Sequence, residues 1–244
     1  MIILLIILIV IVAFAVIKGM PYAFKLMALR AYGNGNAQKA LALYKKAAEL
    51  FGGKTQYKTE YALMLMREGE FKMAENILTS IILDRSILPK DKINVKAYRA
   101  MAYHKQGRTD EALEDMEELY KTAKTTVVYG MLGYLRQLDG NAEVELCEEA
   151  YEYNSDDRDI CDNLLVAYTV SGDFDKAEKI SNELIKKYPS FVEGFYHSAQ
   201  LELKRGNIRA AKAYASRISE CRRTMLTTVS EAEVEELKED INNA

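Results

Sequence analysis

The chain has 244 residues, of which 49% are hydrophobic and 28% are charged, and its net charge is −3. This composition is too apolar for general disorder, and the slightly negative charge argues against a dedicated nucleic-acid-binding protein. The three cysteines, an odd number without C-x-x-C spacing, exclude a complete disulfide framework and a recognisable zinc motif. We expect them to be small buried side chains in a reducing compartment.

The first 17 residues, MIILLIILIVIVAFAVI, contain no polar side chain. As a helix they cover roughly 26 Å, close to the thickness of a bilayer core of about 30 Å. With extension to Gly19, the segment predicts one transmembrane helix over residues 1–19 that anchors the protein in the lipid bilayer. The basic stretch that opens a signal peptide is missing. Ala13-Phe14-Ala15 nevertheless resembles a cleavage site, so cleavage and export are the alternative.

The charges that follow predict an orientation. Eight basic residues and one acid lie between Lys18 and Lys58. The positive-inside rule then predicts a single-pass protein of the cell membrane, with its N-terminus outside and the rest in the cytoplasm. The same basic flank indicates a possible contact with anionic lipid, which would repel the ten acids between Asp139 and Asp162. A solvated acidic face without any partner is the alternative for those acids.

A short turn recurs along the rest of the chain. Its glycines are separated by 32 to 38 residues, and alanine follows five residues later in five of six cases. Glycine ends a helix in the left-handed conformation, and alanine permits two helices to cross closely, so the pattern predicts helix–turn–helix units. Asn or Asp follows the glycine in four cases and is expected to cap the second helix. The glycines are Gly35, Gly69, Gly107, Gly140, Gly172 and Gly206.

The units begin near residues 21, 55, 93, 126, 158 and 192, and their eighth residue is small in five of six cases. LDRSILPKDK, after the second unit, predicts a longer loop. The second helix of the fourth unit fits only if it is shifted by two residues, so that Cys147 and Ala150 take the small positions. Residues 223–244 predict a charged terminal helix that caps the stack, with a capping box formed by Ser230 and Glu233.

Two stretches carry the pattern most fully, SGDFDKAEKISNELIKKYPSF and PYAFKLMALRAYGNGNAQKALALYKKAAEL. They place bulky, small and proline residues as tetratricopeptide repeats do, and the chain resembles that family, although the family's tryptophan is absent. The resemblance implies an all-α fold, a tetratricopeptide-type α-solenoid of about six repeats over residues 20–222, preceded by the transmembrane helix.

In this family the fifth, ninth and twelfth residues of each first helix commonly line a ligand groove. Five of the six ninth positions here are apolar or aromatic. We therefore expect the groove to receive an apolar or amphipathic segment of a partner protein. Alternatively, the stripe is buried within the protein, for example under the terminal helix. The candidate groove residues are Lys25, Leu29, Tyr32, Thr59, Leu63, Met66, Met101, His104, Tyr134, Val166, Thr169, Tyr196 and Gln200.

No catalytic constellation is readable. His104 and His197 lie in different units without a nucleophile or orienting partner, and we expect surface or inter-helix roles for them. We therefore predict a non-enzyme without a catalytic, metal or cofactor site.

The expected function is a membrane-anchored scaffold or adaptor for protein–protein interaction, in the assembly or regulation of a membrane or envelope complex. The alternative is a non-catalytic accessory subunit of a membrane enzyme or translocation complex. RNA binding is disfavoured, because the groove stripe lacks basic and base-pairing side chains, and no nucleic acid is expected.

Overall fold

The computed structural model describes the backbone of residues 2–50 and 54–244. Side chains of residues 2–13, 15 and 16 lie outside the described part. The described residues form α-helices and short 3-10 turns without a strand, which confirms the all-α prediction. The chain divides into two compact units, unit 1 over residues 1–95 and unit 2 over residues 96–244.

Unit 1 contains two helix pairs. Ala28 and Ala40, at the predicted crossing of the first pair, are both fully buried. Ala31, Leu43, Tyr44 and Met64 complete this core cluster. The helices are α1 (Ile2–Gly33), α2 (Ala37–Glu49), α3 (Thr55–Arg67) and α4 (Phe71–Leu83). A 3-10 turn at Pro89–Lys92 lies in the loop that was expected to be longer.

Unit 2 contains four helix pairs and a terminal helix, and the unit boundary falls within its first helix. The paired helices are α5 (Ile93–His104), α6 (Thr109–Thr122), α7 (Thr126–Leu138), α8 (Val144–Tyr153), α9 (Arg158–Ser171), α10 (Phe174–Lys187), α11 (Val192–Lys204) and α12 (Ile208–Arg217). A 3-10 turn at Ile218–Glu220 follows, and α13 spans Glu231–Asn243. We call residues 221–230, between that turn and α13, the strap.

The glycine turns are confirmed, since all six adopt a positive φ. At Gly172, for example, φ is 82°, and the N–H of Asp173 donates to the carbonyl oxygen of Tyr168 at 3.0 Å. This is the bond of a Schellman motif, which satisfies a carbonyl group at the end of the helix. Equivalent bonds are Asn36 to Ala31, Glu70 to Leu65, Arg108 to Tyr103, Asn141 to Arg136 and Asn207 to Glu202.

The predicted helix crossings are confirmed, including the shifted fourth unit. Cys147 is 2% exposed and Ala150 is 4% exposed, whereas Glu145 points into solvent. At the eighth position of that unit, a Cβ on Gly133 would lie 2.6 Å from Asn163 Nδ2. The side chain is therefore missing at a position where α9 approaches α7 closely.

The predicted caps are partly wrong. Asn36 and Asn207 accept from the backbone N–H groups of Lys39 and Ala210, as expected. The Asp173 side chain instead pairs with Lys176 at 3.2 Å and makes no capping hydrogen bond. Asn141 lies too far before α8 to cap it, because α8 begins only at Val144. At the C-terminus the capping box is present, with Ser230 and Glu233 each accepting from the other's backbone N–H.

The expected membrane localisation is contradicted. The part of the chain that the structure describes contains no helix that combines the length and the apolar character of a membrane span. A span needs about 20 consecutive apolar residues. The described side chains of α1 from Ile17 onward include Lys18, Lys25 and Arg30, and this part of the helix packs as the first helix of a repeat.

The single-pass arrangement with cytoplasmic repeats is therefore wrong. Most of the predicted anchor, residues 1–13, 15 and 16, falls outside the described side chains. The expected bilayer contact through residues 1–19 and the anionic lipid contact near Lys18–Lys58 receive no support, and neither does the export alternative.

Candidate functional site

We call the side of the first helices that carries their fifth, ninth and twelfth positions the first-helix face. At the eighth positions, which meet the partner helix, all six residues are buried. None of the six residues at the ninth positions is buried, and Leu29 is 46% exposed. The two neighbouring positions therefore have different roles. The eighth holds the helix pair together, and the ninth is left at the surface of the pair.

In unit 1, an ion pair joins the two helices of this face. Lys25 Nζ on α1 donates to Glu60 Oε1 on α3 at 2.5 Å, and this hydrogen bond raises the pKa of Lys25. Gln56 donates to the same carboxylate oxygen at 2.9 Å. The charge of Lys25 is thus engaged within the protein, so what the unit 1 face offers a ligand is mainly apolar.

On the unit 1 face, exposed apolar side chains lie on α1. Tyr22, Leu26 and Leu29 are each about half exposed and follow one another at spacings of four and three residues, which places them on one side of the helix. Leu63 on α3 is partly exposed. The Arg67 guanidinium lies 5.6 Å from the centre of the Tyr32 ring, at the end of the same face.

In unit 2, His104 and Tyr134 connect the face from α5 to α7. Their polar atoms, His104 Nε2 and the Tyr134 hydroxyl, are 3.2 Å apart, and the rings are in edge contact. His104 Nδ1 also lies 3.0 Å from the Thr109 hydroxyl. Burial, with a smaller contribution from Lys105, lowers the pKa of His104. The inter-helix role that was expected for this histidine is confirmed.

A second histidine connects α11 to α9. His197 Nδ1 lies 2.8 Å from Asp162 Oδ1 and 3.0 Å from Oδ2. Burial alone would lower the pKa of His197, but the Asp162 carboxylate outweighs it, with help from Glu193 and Glu233, and the pKa is raised. This pair is a structural contact between repeats.

The strap lies over this part of the first-helix face, and α13 packs against α11 and α12. Lys105 Nζ donates to the carbonyl oxygen of Thr227 at 2.9 Å. Glu193 Oε1 accepts from the backbone N–H of Thr228 at 2.8 Å and from its hydroxyl at 3.2 Å. Lys105 follows α5 and Glu193 lies in the first turn of α11, so the third and sixth repeats contact two adjacent residues of the strap. The strap thus bridges the third and sixth repeats of unit 2.

A cavity of about 350 Å³ remains between α9, α11 and α13. Its wall mixes apolar with polar side chains. They are Val166, Thr169, Val170, His197, Gln200, Leu203, Lys204, Leu237 and Asp240. The terminal helix thus covers the face without filling it.

The thirteen sequence-predicted residues divide by burial. Met66, Thr169 and Tyr196 are less than 9% exposed and hence unavailable for direct contact with a ligand. The other ten keep at least partial exposure. Five of these ten lie on α1 and α3 in unit 1, and Thr59 is one of them. The Thr59 hydroxyl donates to the Thr55 carbonyl within its own helix.

Sequence reasoning missed Lys105, Glu193 and Asp162. Glu193 is 7% exposed in the first turn of α11, and its only sequence signal is its position in the otherwise uncharged run SFVEGFY. Lys105 carries no signal, since it lies among other polar residues at the end of a helix. Lys105 and Glu193 both bind the strap, and no local sequence pattern predicts such a long-range contact.

Five of the ten acids between Asp139 and Asp162 are exposed, as in a solvated face, whereas others contact neighbouring helices. Glu149 accepts from the Tyr120 hydroxyl at 2.6 Å, from the Tyr129 hydroxyl at 2.7 Å and from Lys124. Arg136 pairs with Glu143 at 2.5 Å and with Glu117 on α6 at 2.9 Å. These acids therefore join neighbouring helices. Within the described ranges, no three metal-ligating side chains lie close enough together to hold an ion.

Comparison with solved structures shows a shared fold. The APC/C hetero-tetramer Cut9–Hcn1 aligns with a TM-score of 0.69 at 12% identity, covering 91% of this chain and 43% of that chain. PilF of Pseudomonas aeruginosa aligns with a TM-score of 0.59 at 15% identity, covering 92% and 99%. A tetratricopeptide repeat protein from Parabacteroides merdae ATCC 43184 gives 0.56 at 18% identity, covering 92% and 86%.

Curated protein sequences contain no significant match to this chain. A family profile, however, matches more than half of it, over residues 85–236. The described helices, glycine turns and crossing alanines agree with that match. The chain belongs to the family of the Psidin N-terminal tetratricopeptide repeats region.

Proposed function

We propose that this protein is a scaffold that binds an amphipathic helical segment of a partner protein on the first-helix face of unit 1. The repeat fold is of a type suited to protein–protein interaction. The observation that carries the proposal is the half-exposed row of Tyr22, Leu26 and Leu29 on α1. Apolar residues at helical spacing are what an amphipathic helix packs against when it binds in a groove.

The polar groups beside this row support the same choice of ligand. Lys25 and Glu60 neutralise each other at 2.5 Å, so the face does not present an isolated charge that would require a charged anchor in the partner. Arg30 is exposed on α1 near Leu29 and Leu26, and it can pair with acidic residues on the polar side of the bound helix. The preferred segment is therefore apolar on one side and acidic on the other.

Photo-crosslinking tests this proposal in cells of the source organism. The residue p-benzoylphenylalanine replaces Leu29 in the full chain, and a matched chain carries it at Leu83, which is 73% exposed outside the first-helix face. We expect a crosslink from position 29 to one protein, mapped to an amphipathic helical segment. Equal crosslinking from both positions, or a crosslinked segment without an apolar side, would contradict the proposal.

A further inference from the structure

The strap is held in place by its main chain. Lys105 donates to the Thr227 carbonyl oxygen, and Glu193 accepts from the Thr228 N–H. Both contacts use main-chain groups, so they depend little on which side chains the strap carries. The Thr228 hydroxyl, 3.2 Å from Glu193 Oε1, adds a preference for threonine or serine at this position.

The residue after Thr228 anchors the strap through apolar contacts. Val229 is 4% exposed and belongs to the cluster that contains Val192 and Phe195 of α11. In α13, three residues at spacings of three and four, Val234, Leu237 and Ile241, are buried in the same cluster. Most of the other residues of α13 are exposed, and seven of its thirteen residues are acidic or basic. The terminal segment thus has the form of a ligand, a hydroxyl-bearing stretch with a turn at Thr224–Thr227, followed by an acidic amphipathic helix.

The fit of this segment is incomplete. An open cavity of about 350 Å³ lies beside α13, between Leu237 and Val166, so the segment leaves part of the unit 2 face uncovered. The strap also makes bonds to itself. Thr224 N–H donates to the Thr227 hydroxyl at 3.1 Å, and Leu226 N–H donates to the Thr224 hydroxyl at 3.2 Å. These local bonds do not depend on the face, so the strap can leave it without losing them.

We propose that residues 222–244 are an intramolecular ligand of the unit 2 first-helix face, and that this face binds a partner segment of the same chemistry once the strap has left. The partner is a Ser/Thr-containing stretch that leads into an acidic amphipathic helix. This inference extends the proposed function from unit 1 to unit 2 but uses separate residues. Crosslinking at Leu29 reports on unit 1 alone, so either proposal can fail while the other stands.

A peptide-binding measurement tests the inference on the full chain. The probe is a fluorescein-labelled synthetic peptide of residues 222–244, and its binding is followed by fluorescence anisotropy. Val229→Asp places a charge where the strap is anchored and should release the strap. Met225→Asp is the matched control, since Met225 lies in the same strap but is 56% exposed.

We expect the peptide to bind the Val229→Asp chain with a Kd at least about tenfold lower than that of the unaltered and Met225→Asp chains. Adding Glu193→Gln to Val229→Asp should weaken binding by about tenfold, because the acceptor for the Thr228 N–H loses its charge. Equal peptide binding by the unaltered, Val229→Asp and Met225→Asp chains would overturn the inference.

Hydrogen exchange on the unaltered chain keeps the inference testable if Val229→Asp unfolds unit 2. The amide of Thr228 and those of α13 should exchange together, faster than the amides in the middle of α9 and α11, because the segment opens while the repeats stay folded. If the amides of Thr228 and α13 exchange only when the whole unit unfolds, the segment is a permanent part of the core. That result would overturn the inference.

Discussion

His197 Nδ1 and Asp162 Oδ1 lie 2.8 Å apart and join α11 to α9 across the boundary between two repeats. Both side chains are largely buried, with 18% and 9% exposure. Contacts between neighbouring repeats contribute much of the stability of a repeat protein, so this pair is a sensitive point of unit 2. It also makes the stability of the unit depend on pH.

The pH dependence has a definite sign. The pKa of His197 is raised in the folded protein above its ordinary value of 6.5. A raised pKa means that the stabilisation is fully present below the unfolded value and is lost as the pH rises through the folded one. The charged or titratable groups that face His197 are Asp162 on α9, Glu193 and Tyr196 on α11, and Glu233 on α13. The free energy of unfolding should therefore fall as the pH rises above 6.5.

Asp162→Asn should remove most of this dependence. Removing one partner of a buried pair costs about 3 kcal/mol, and the loss should be larger at pH 6 than at pH 8. Urea unfolding at both pH values measures it. Lys238→Met, which breaks an exposed pair with Glu235, is the control and should change the free energy by less than about 0.5 kcal/mol. An equal loss at the two pH values for Asp162→Asn would contradict the assigned role of His197.

Gly133→Ala should destabilise unit 2 although alanine favours helices. The added Cβ would lie 2.6 Å from Asn163 Nδ2, which donates to the Gly130 carbonyl oxygen at 2.8 Å and is held there by burial. Overpacking of this kind costs about 1 to 3 kcal/mol. Gly33→Ala is the matched control, since no atom lies within 4 Å of its added Cβ, and it should be neutral or stabilising. Thermal unfolding of both variants measures the difference, and equal melting temperatures would refute the close approach of α9 to α7.

The three cysteines should differ in reactivity. Burial raises the pKa of Cys147 to about 12 and that of Cys161 to about 11, so neither forms a thiolate at neutral pH. Cys221 is partly exposed at the start of the strap. With a thiol reagent at pH 8, we expect one fast thiol that disappears in Cys221→Ser, and two that react only after unfolding. Fast reaction of a second thiol in the native protein would contradict the packing of α8 against α9.

Glu149 should contribute stability that is lost in acid. Hydrogen bonds from Lys124, Tyr120 and Tyr129 lower its pKa to about 2, so its contribution is present above the ordinary value of 4.5 and lost as the pH falls towards 2. The side chain is 42% exposed, and solvent screening limits the effect to about 1 kcal/mol.

Glu149→Gln should therefore lower the free energy of unfolding at pH 6 and flatten its decline between pH 4.5 and 3. Glu152→Gln, an exposed residue of the same helix, is the control and should leave the curve unchanged. Identical acid curves for Glu149→Gln and the unaltered chain would show that the carboxylate does not join these helices.

The repeats could be predicted from the sequence because they depend on local rules. A glycine with positive φ and an alanine at a helix crossing recur at fixed distances. Gly172 and Ala177 could therefore be recognised by comparing their unit with the other units. The cap at Asn141 was predicted wrongly because the fourth turn is longer, and α8 begins three residues later at Val144. The groove residues were predicted from their positions along each first helix. Such a position indicates on which side of the helix a residue lies, but not that Met66 and Tyr196 are buried.

The covering of the unit 2 face could not be predicted. Lys105 and Glu193 meet the strap through contacts between distant parts of the chain, and an apolar stripe indicates burial without indicating what covers it. The apolar N-terminal run likewise predicted a membrane span from hydropathy alone, which the described helices do not support.

The central claim is that the first-helix face of unit 1 is a binding surface and not part of the core. The most direct measurement is the affinity of the full chain for a synthetic peptide of the segment crosslinked at position 29, before and after Leu29→Asp and Leu63→Asp, with the melting temperature of each chain. We predict at least about a tenfold loss of affinity in each variant with nearly unchanged melting temperatures, because both side chains keep solvent exposure. Unchanged affinity, or unfolding of the variants, would contradict the claim.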